Sequence, residues 1–208
     1  MADFNSEPFN CGKQRFFDKT AGGWENGRRD DPAVIELVAE LPLAPGNLVV
    51  EPGCGTGLIS ELLLERIAPG GRLLAFDISP RMIEQAEAKH LGPTAEFQLA
   101  DASSIPLDTA AANVVVCIRV FPHIDDRRGA LAEFNRVLKT GAMMIIAHPA
   151  GREKLNTYHS NVGGEVGSDM IPEEAGMRSL LAGAGFELIE LVDHDTRYLV
   201  TACKRHDI

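Results

Sequence analysis

A short apolar run, Leu48-Val49-Val50, leads directly into Glu51-Pro52-Gly53-Cys54-Gly55-Thr56-Gly57, and glycine at every second position of that loop restricts what the segment can become. Glycines let the backbone turn sharply at the end of a strand and remove the Cβ atoms that would hold a ligand away from the main chain. The pattern is that of a strand ending in a ligand-holding loop that opens a helix. A dinucleotide fingerprint needs its third glycine one residue later, where Leu58 stands, and a phosphate-binding P-loop needs a Lys followed by Ser or Thr, which is missing. With the acidic Glu51 at the strand end, the loop suits a cationic ligand better than a phosphate.

Around this loop the chain alternates short apolar runs with segments of helical period. Residues 32–41 place Val34, Leu37, Val38 and Leu41 on one helical face, with Asp30 or Asp31 as N-cap ahead of Pro32. Strand 48–51 is followed by helix 57–67 with Leu58, Leu62 and Ile67 on one face. Strand 72–76 is closed by Asp77, and Ser79-Pro80 opens a helix to about residue 90. Strands at 96–100, 113–118 and 142–147 follow, the last two separated by a helix over 127–138. The run 113–118 is almost entirely Val, Cys and Ile, as a strand covered on both faces requires. Residues 148–171 show no clear period and read as a long polar connection. Connections of that length in a compact domain are functional or disordered as a rule. A helix from Pro172 to Gly185 then leads to strands 186–192 and 197–203, joined by a link short enough for an antiparallel hairpin.

Strand-helix alternation of this kind predicts an α/β fold, a Rossmann-like doubly wound sheet of about seven strands with helices on both faces. The sheet is mostly parallel, and its last strand is antiparallel. At 208 residues the chain suits one domain. Its expected parts are a helical cap over 1–45, a ligand-binding core over 46–147, a substrate loop over 148–171 and a closing helix and hairpin over 172–208.

A formal net charge of −10 argues against a nucleic-acid backbone as partner, because that binding draws on clustered Lys and Arg. The basic pairs Arg28-Arg29 and Arg127-Arg128 are each flanked by two aspartates and read as solvated surface. No apolar run approaches the roughly 20 residues of a membrane helix, and the first thirty residues lack the apolar stretch of a secretion signal. The expected compartment is the cytoplasm. Four cysteines without a CxxC pair indicate neither a zinc ribbon nor a disulfide framework.

With its elements placed, the chain resembles the class I S-adenosylmethionine-dependent methyltransferases over nearly its full length, in the small-molecule branch. The resemblance is carried by the glycine loop, by Phe76-Asp77-Ile78-Ser79-Pro80-Arg81-Met82 at the end of the second strand, by Asp101-Ala102 after the third, and by the 114–122 segment. Residues 16–24 look like a leading helix that closes over the cofactor. The resemblance implies S-adenosylmethionine as cofactor and S-adenosylhomocysteine as product. It implies that Gly53, Gly55 and Gly57, with Cys54 among them, lie along the methionine moiety and ribose, and that Glu51 offers negative charge near the ammonium and sulfonium. Asp77 would accept from the two ribose hydroxyls, Asp101 and the Ala102 amide would meet the adenine edge, Ile78 and Met82 its faces, and the Ile118 or Arg119 carbonyl the ammonium. Cys54 and Met82 also have plain packing roles open to them.

The same resemblance puts acceptor contacts in the loop after the fourth strand. There His123 is a general base, a group hydrogen-bonding to the acceptor, or a surface residue ahead of the Asp125-Asp126 cap of the next helix. Phe121 packs either on an apolar acceptor or against the sheet. His148, Tyr158, His159, Asn161 and Asp169 are expected at the same rim, with His159 a second catalytic candidate and His148, Tyr158 and Asp169 substrate contacts. Their spacing fits no compact metal motif, so no metal is expected. Gly163-Gly164 and Gly167 would let the segment move as a lid. The reading is methyl transfer by SN2 displacement to a small-molecule acceptor by a monomer or homodimer. A regulatory module that binds the cofactor without catalysis, or methylation of a protein, are the alternatives.

Overall fold

The computed structural model describes residues 11–26 and 31–206. The expectations for Arg28-Arg29 and for Asp30 as a cap lie outside the described residues. Helices α1 (Cys11–Thr20) and α2 (Pro32–Glu40) precede the sheet. Then come β1 (Leu48–Pro52), α3 (Leu58–Ile67), β2 (Arg72–Asp77), α4 (Pro80–Glu87), β3 (Ala95–Leu99) and β4 (Ala112–Ile118). After β4 the chain forms α5 (Arg127–Val137), β5 (Leu138–His148), α6 (Arg152–Val162), α7 (Glu174–Gly183), β6 (Phe186–His194) and β7 (Arg197–Lys204). The seven strands are ordered β3-β2-β1-β4-β5-β7-β6, and only β7 runs against its neighbours. The expected architecture is present.

Side chains alternate across this sheet with the period of two that a pleated strand imposes. Val50, Leu74, Phe76, Val115, Cys117, Met144 and Ile146 enter one core with Leu131 and Phe134 of α5 and Met177 and Leu181 of α7. Their neighbours Val49, Leu73, Ala75, Val114, Val116, Ile145 and Ala147 enter the other, with α2, α3 and Ile83 of α4. Both faces are thus covered, which accounts for near-continuous apolar strands. The helices start where local chemistry stops other conformations. Asp31, Ser79 and Asp126 accept from Ala33, Met82 and Gly129 amides at 3.0, 3.1 and 2.9 Å, and Pro32 and Pro80 occupy first-turn positions.

Three expectations need correction. The 148–171 segment is not a continuous loop, since α6 fills half of it. Leu155, Tyr158, His159 and Val162 do recur at helical spacing, but two of the four are polar, so an apolar period did not show. In α3 the buried line is Ser60, Leu63 and Ile67 rather than Leu58, Leu62 and Ile67. A helix apolar on several sides leaves its facing open, and Ser60 turns inward to donate to Glu51 at 2.5 Å. Finally, β5 begins at Leu138, four residues earlier than Ala142: Leu138 pairs with Ala112, the register then shifts, and Met143 pairs with Val114. Among the described residues no helix is long and apolar enough to cross a membrane.

Strand order reverses between β1 and β4, so the crevice of this sheet opens outside their carboxyl ends. The glycine loop, Asp77, Asp101-Ala102 and the segment after β4 border one cavity at that end.

Candidate active site

The floor of the crevice is the glycine loop, whose backbone demands glycine at three points: φ is +64° at Gly53, +55° at Gly55 and +77° at Gly57. A Cβ on Gly53 would collide with the Val120 side chain, and one on Gly55 would sit 3.2 Å from the Trp24 indole nitrogen. The loop therefore passes between the β4 exit and the N-terminal cap with no room for side chains. Cys54, buried beside it, has its thiol pushed well above the ordinary range by burial and then by Glu51 and Asp77. It is held as a thiol, which suits a packing role and not a nucleophile.

Two carboxyl groups stand at the strand ends. Asp77 accepts from the Gly55 amide at 3.0 Å and the Ser79 amide at 2.9 Å, one on each oxygen, and burial pushes its acid up to about 6. Each oxygen keeps a lone pair for a further donor, and Asp77 borders the cavity. Glu51 lies behind the loop and is not among the cavity-lining residues; burial pushes it up to about 8, opposed by its Ser60 hydrogen bond. It is protonated at neutral pH while no cation is near. Asp101 accepts from the Ser103 amide at 2.8 Å and the Ser103 hydroxyl at 2.5 Å and also borders the cavity, as do Ala102, Ile78 and Met82.

The walls bound a cavity of about 1400 Å³. Pockets for a single drug-sized ligand run to roughly 300–1,000 Å³, so this one has room for two molecules side by side. Its fit to S-adenosylmethionine rests on this structure: a loop without Cβ atoms for close approach, Asp77 with two free lone pairs for a diol, and a buried acid, Glu51, that a nearby cation would ionise. Gly53, Cys54, Gly55, Asp77, Ile78, Met82, Asp101, Ala102, Ile118 and Arg119 are the residues that would hold it. Gly57 lies off the cavity, packed on Ala86 and Phe97. Arg119 adopts φ +60°, with its amide donating to the Ala147 carbonyl at 3.0 Å and its guanidinium paired with Asp31. That left-handed turn exposes the β4 end to the crevice.

The roof comes from α1 and the turn after it. Three polar latches tie this cap to the core: Asp18 accepts from the Ser79 hydroxyl at 2.6 Å, Glu25 from the Thr56 hydroxyl at 2.8 Å and from Lys89 at 2.7 Å, and Lys13 reaches Asp125 and Asp169 at 2.5 and 2.7 Å. Phe16, Phe17 and Trp24 line the cavity from above. Lys13 was missed by sequence reasoning. A lone Lys on a polar helix reads as surface, and only the fold reveals that it is buried between two carboxylates.

At the far rim, His123, His148, Tyr158 and His159 all border the cavity, while Asp169 is buried just behind them. His123 Nδ1 lies 2.6 Å from Asp169 Oδ2, and His159 Nδ1 2.6 Å from the Asp169 main-chain oxygen. His148 is driven down to about 3, by burial first and then by the other two histidines, and its Nε2 has no partner among the described residues. Phe121 is not here. It is fully buried in the core under the Arg127 guanidinium, so of its two expected placements the sheet holds it. Asn161 is exposed. Among the described residues, no group of three or more His, Cys, Asp or Glu side chains is arranged to hold a metal.

Residues 50–146 match a family model described as a methyltransferase domain. The chain is 36% identical over 97 residues to malonyl-acyl-carrier-protein O-methyltransferase of Hahella chejuensis, covering 47% of this chain and 34% of that one. It is 26% identical over 161 residues to arsenite methyltransferase of Halobacterium salinarum, covering 74% and 40%. The chain thus spans well under half the length of these curated relatives. In fold it is similar to a chain from a complex containing the Haloferax volcanii Trm112 methyltransferase activator, with a TM-score of 0.77 at 22% identity over 91% of this chain and 98% of that one. The strand order, the glycine loop and carboxylates converging on one crevice agree with these matches, and residues 50–146 of the chain are similar to a methyltransferase domain.

Proposed function

We propose that this protein transfers a methyl group from S-adenosylmethionine to a small-molecule acceptor bound in the same cavity. The observation that carries the reading is the cavity itself, about 1400 Å³, floored by the glycine loop and Asp77 and walled at its other end by three histidines. The cofactor supplies an electrophilic methyl on a positive sulfur. What the chain must add is alignment and exclusion of water, since the displacement cancels charge as it proceeds. The cap provides the exclusion: Trp24 over Gly55 and Phe17 against His123, with ring centroids 5.3 Å apart, close the space from above.

A small acceptor is favoured over a protein segment because α1, Trp24 and α6 cover the rim, and over nucleic acid because the chain carries a net charge of −10. The test is formation of S-adenosylhomocysteine from S-adenosylmethionine by purified protein against a library of small hydroxyl, thiol, amine and carboxylate acceptors. Acceptor-dependent product supports the reading. Cofactor binding without turnover on any acceptor would leave a binding module in its place.

A further inference from the structure

Five polar side chains from five separate places meet at the rim: Lys13 of α1, His123 after β4, His148 ending β5, His159 of α6 and Asp169 beyond it. Asp169 organises them. Its Oδ1 receives Lys13 Nζ at 2.7 Å, its Oδ2 lies 2.6 Å from His123 Nδ1, and its main-chain oxygen 2.6 Å from His159 Nδ1. Burial works against its charge, yet the His123 and Lys13 contacts hold its carboxyl below the usual range. An ionised carboxylate only accepts, so the proton of this pair sits on His123 Nδ1 and the lone pair of the neutral ring on Nε2.

Nε2 makes no hydrogen bond to any described residue, and His123 borders the cavity. His159 is arranged alike, its Nδ1 donating to a carbonyl, but it lacks a carboxylate partner, and burial and His123 push it down. Of the two rings, only His123 has a counter-charge to receive the proton it would gain. Lys13 uses all three donors, on Asp169, Asp125 and the His123 carbonyl at 3.0 Å. The charged or titratable groups packed around His123 are therefore Asp169, Lys13, Asp125, Arg127, His148 and His159. Arg127 donates through Nη2 to the Pro122 and Met170 carbonyls and does not border the cavity, and Arg119 pairs with Asp31.

We propose that His123 is the general base of this site, set by Asp169 and braced by Lys13, and that the acceptor is a neutral aromatic hydroxyl, a phenol. The proposal rests on the methyl-transfer reading above. A carboxylate acceptor would need a cation beside the histidines; Lys13 and Arg119 are engaged elsewhere, and the other lysine bordering the cavity, Lys19, is exposed at the C-terminal end of α1. An amine acceptor would not need a base with a fixed tautomer once it is neutral. A phenol has a pKa of about 10, as in tyrosine, within reach of an imidazole in a concerted step. Phe16, Phe17, Trp24 and Tyr158 supply aromatic walls for its ring.

The step balances without any further reactant. The phenol O–H bond breaks with its proton passing to His123 Nε2, and an oxygen lone pair forms the bond to the methyl carbon. The carbon–sulfur pair leaves with sulfur, which becomes a neutral thioether. His123, now a cation beside Asp169, returns its proton to solvent. His123 is the catalytic residue in this scheme, and Asp169 and Lys13 are positioning residues.

The test uses the full chain, with phenol, catechol and 2-naphthol set against the matching anilines and benzoates. Methylation of at least one phenol, with kcat down about 100-fold or more in His123→Ala and Asp169→Asn and S-adenosylhomocysteine affinity unchanged, supports the proposal. Imidazole in solution should restore turnover to His123→Ala and not to Asp169→Asn. Independently of turnover, ¹⁵N spectra of labelled histidine should show His123 as the Nδ1–H tautomer in the wild type and lose that preference in Asp169→Asn. Transfer to anilines or benzoates alone, no transfer to any of the three phenols, an Nε2–H tautomer in the wild type, or kcat unchanged in His123→Ala would each overturn it. All four leave cofactor binding intact, whereas failure to bind S-adenosylhomocysteine would overturn the methyl-transfer reading itself.

Discussion

Asp77 Oδ2 accepts from the Gly55 amide at 3.0 Å, which couples the end of β2 to the glycine loop at the end of β1. The same carboxyl serves the fold through this bond and its bond to Ser79, and serves the site through its remaining lone pairs. Its environment favours the acid over the ion, so the protein holds at neutral pH a charge that burial disfavours.

Asp77→Asn should therefore separate stability from binding. With a folded value of about 6 against about 3.9 unfolded, the wild-type term is fully present below pH 4 and is lost as pH rises through 6. The stability of the variant relative to the wild type should rise by about 3 kcal/mol between those limits and level off above. Loss of one acceptor for the backbone amides shifts the whole curve without changing its slope. Cofactor affinity should fall at least tenfold, since charge-assisted hydrogen bonds to the ribose contribute roughly 1.5–3 kcal/mol each before water compensates. Denaturant titrations at several pH values and calorimetry check the two halves.

Glu51 gives a linkage prediction. Held up to about 8, it carries a proton at pH 7, and a cationic cofactor next to the loop should drive that proton off. Binding of S-adenosylmethionine at pH 7 is expected to release up to about one proton, read from the dependence of calorimetric heat on buffer ionisation enthalpy. Affinity should rise with pH from 6 to 8. S-Adenosylhomocysteine, lacking the sulfonium charge, should release less, and Glu51→Gln should remove the effect while keeping a hydrogen bond with Ser60.

Gly53 tests the floor. Alanine there faces two costs, a positive φ of +64° and the Val120 side chain. The left-handed strain is roughly 1–2 kcal/mol, and the clash adds to it. Gly53→Ala should weaken cofactor binding and lower the melting temperature, and adding Val120→Ala should recover only the part of the clash made by the valine methyls, because the Cβ at position 120 would still lie 2.7 Å away. A double-mutant cycle measures that coupling.

The cofactor half of this site was legible in the sequence because its signals are local. Glycines at alternate positions, an aspartate closing a strand and Asp101-Ala102 after the next one need only the strand order to bring them together, and the parallel sheet does so. The acceptor half was legible only as a collection of residues. His123 and Asp169 are 46 positions apart and Lys13 and Asp169 are joined from opposite ends of the chain, so no spacing announces either pair. The face of α6 that carries Leu155, Tyr158, His159 and Val162 borders the cavity, with Leu155 also packed against a core, and so lacks the full apolar repeat that reveals a helix. Ser60 and Phe121 show the same limit: each faces where its partner sits, on Glu51 in one case and under Arg127 in the other.

Calorimetric titration of the wild-type protein with S-adenosylhomocysteine, and separately with NAD, tests the central claim most directly. The structure calls for saturable one-to-one binding of S-adenosylhomocysteine, weakened by Asp77→Asn, and no heat with NAD. Binding of NAD with no response to S-adenosylhomocysteine would contradict it.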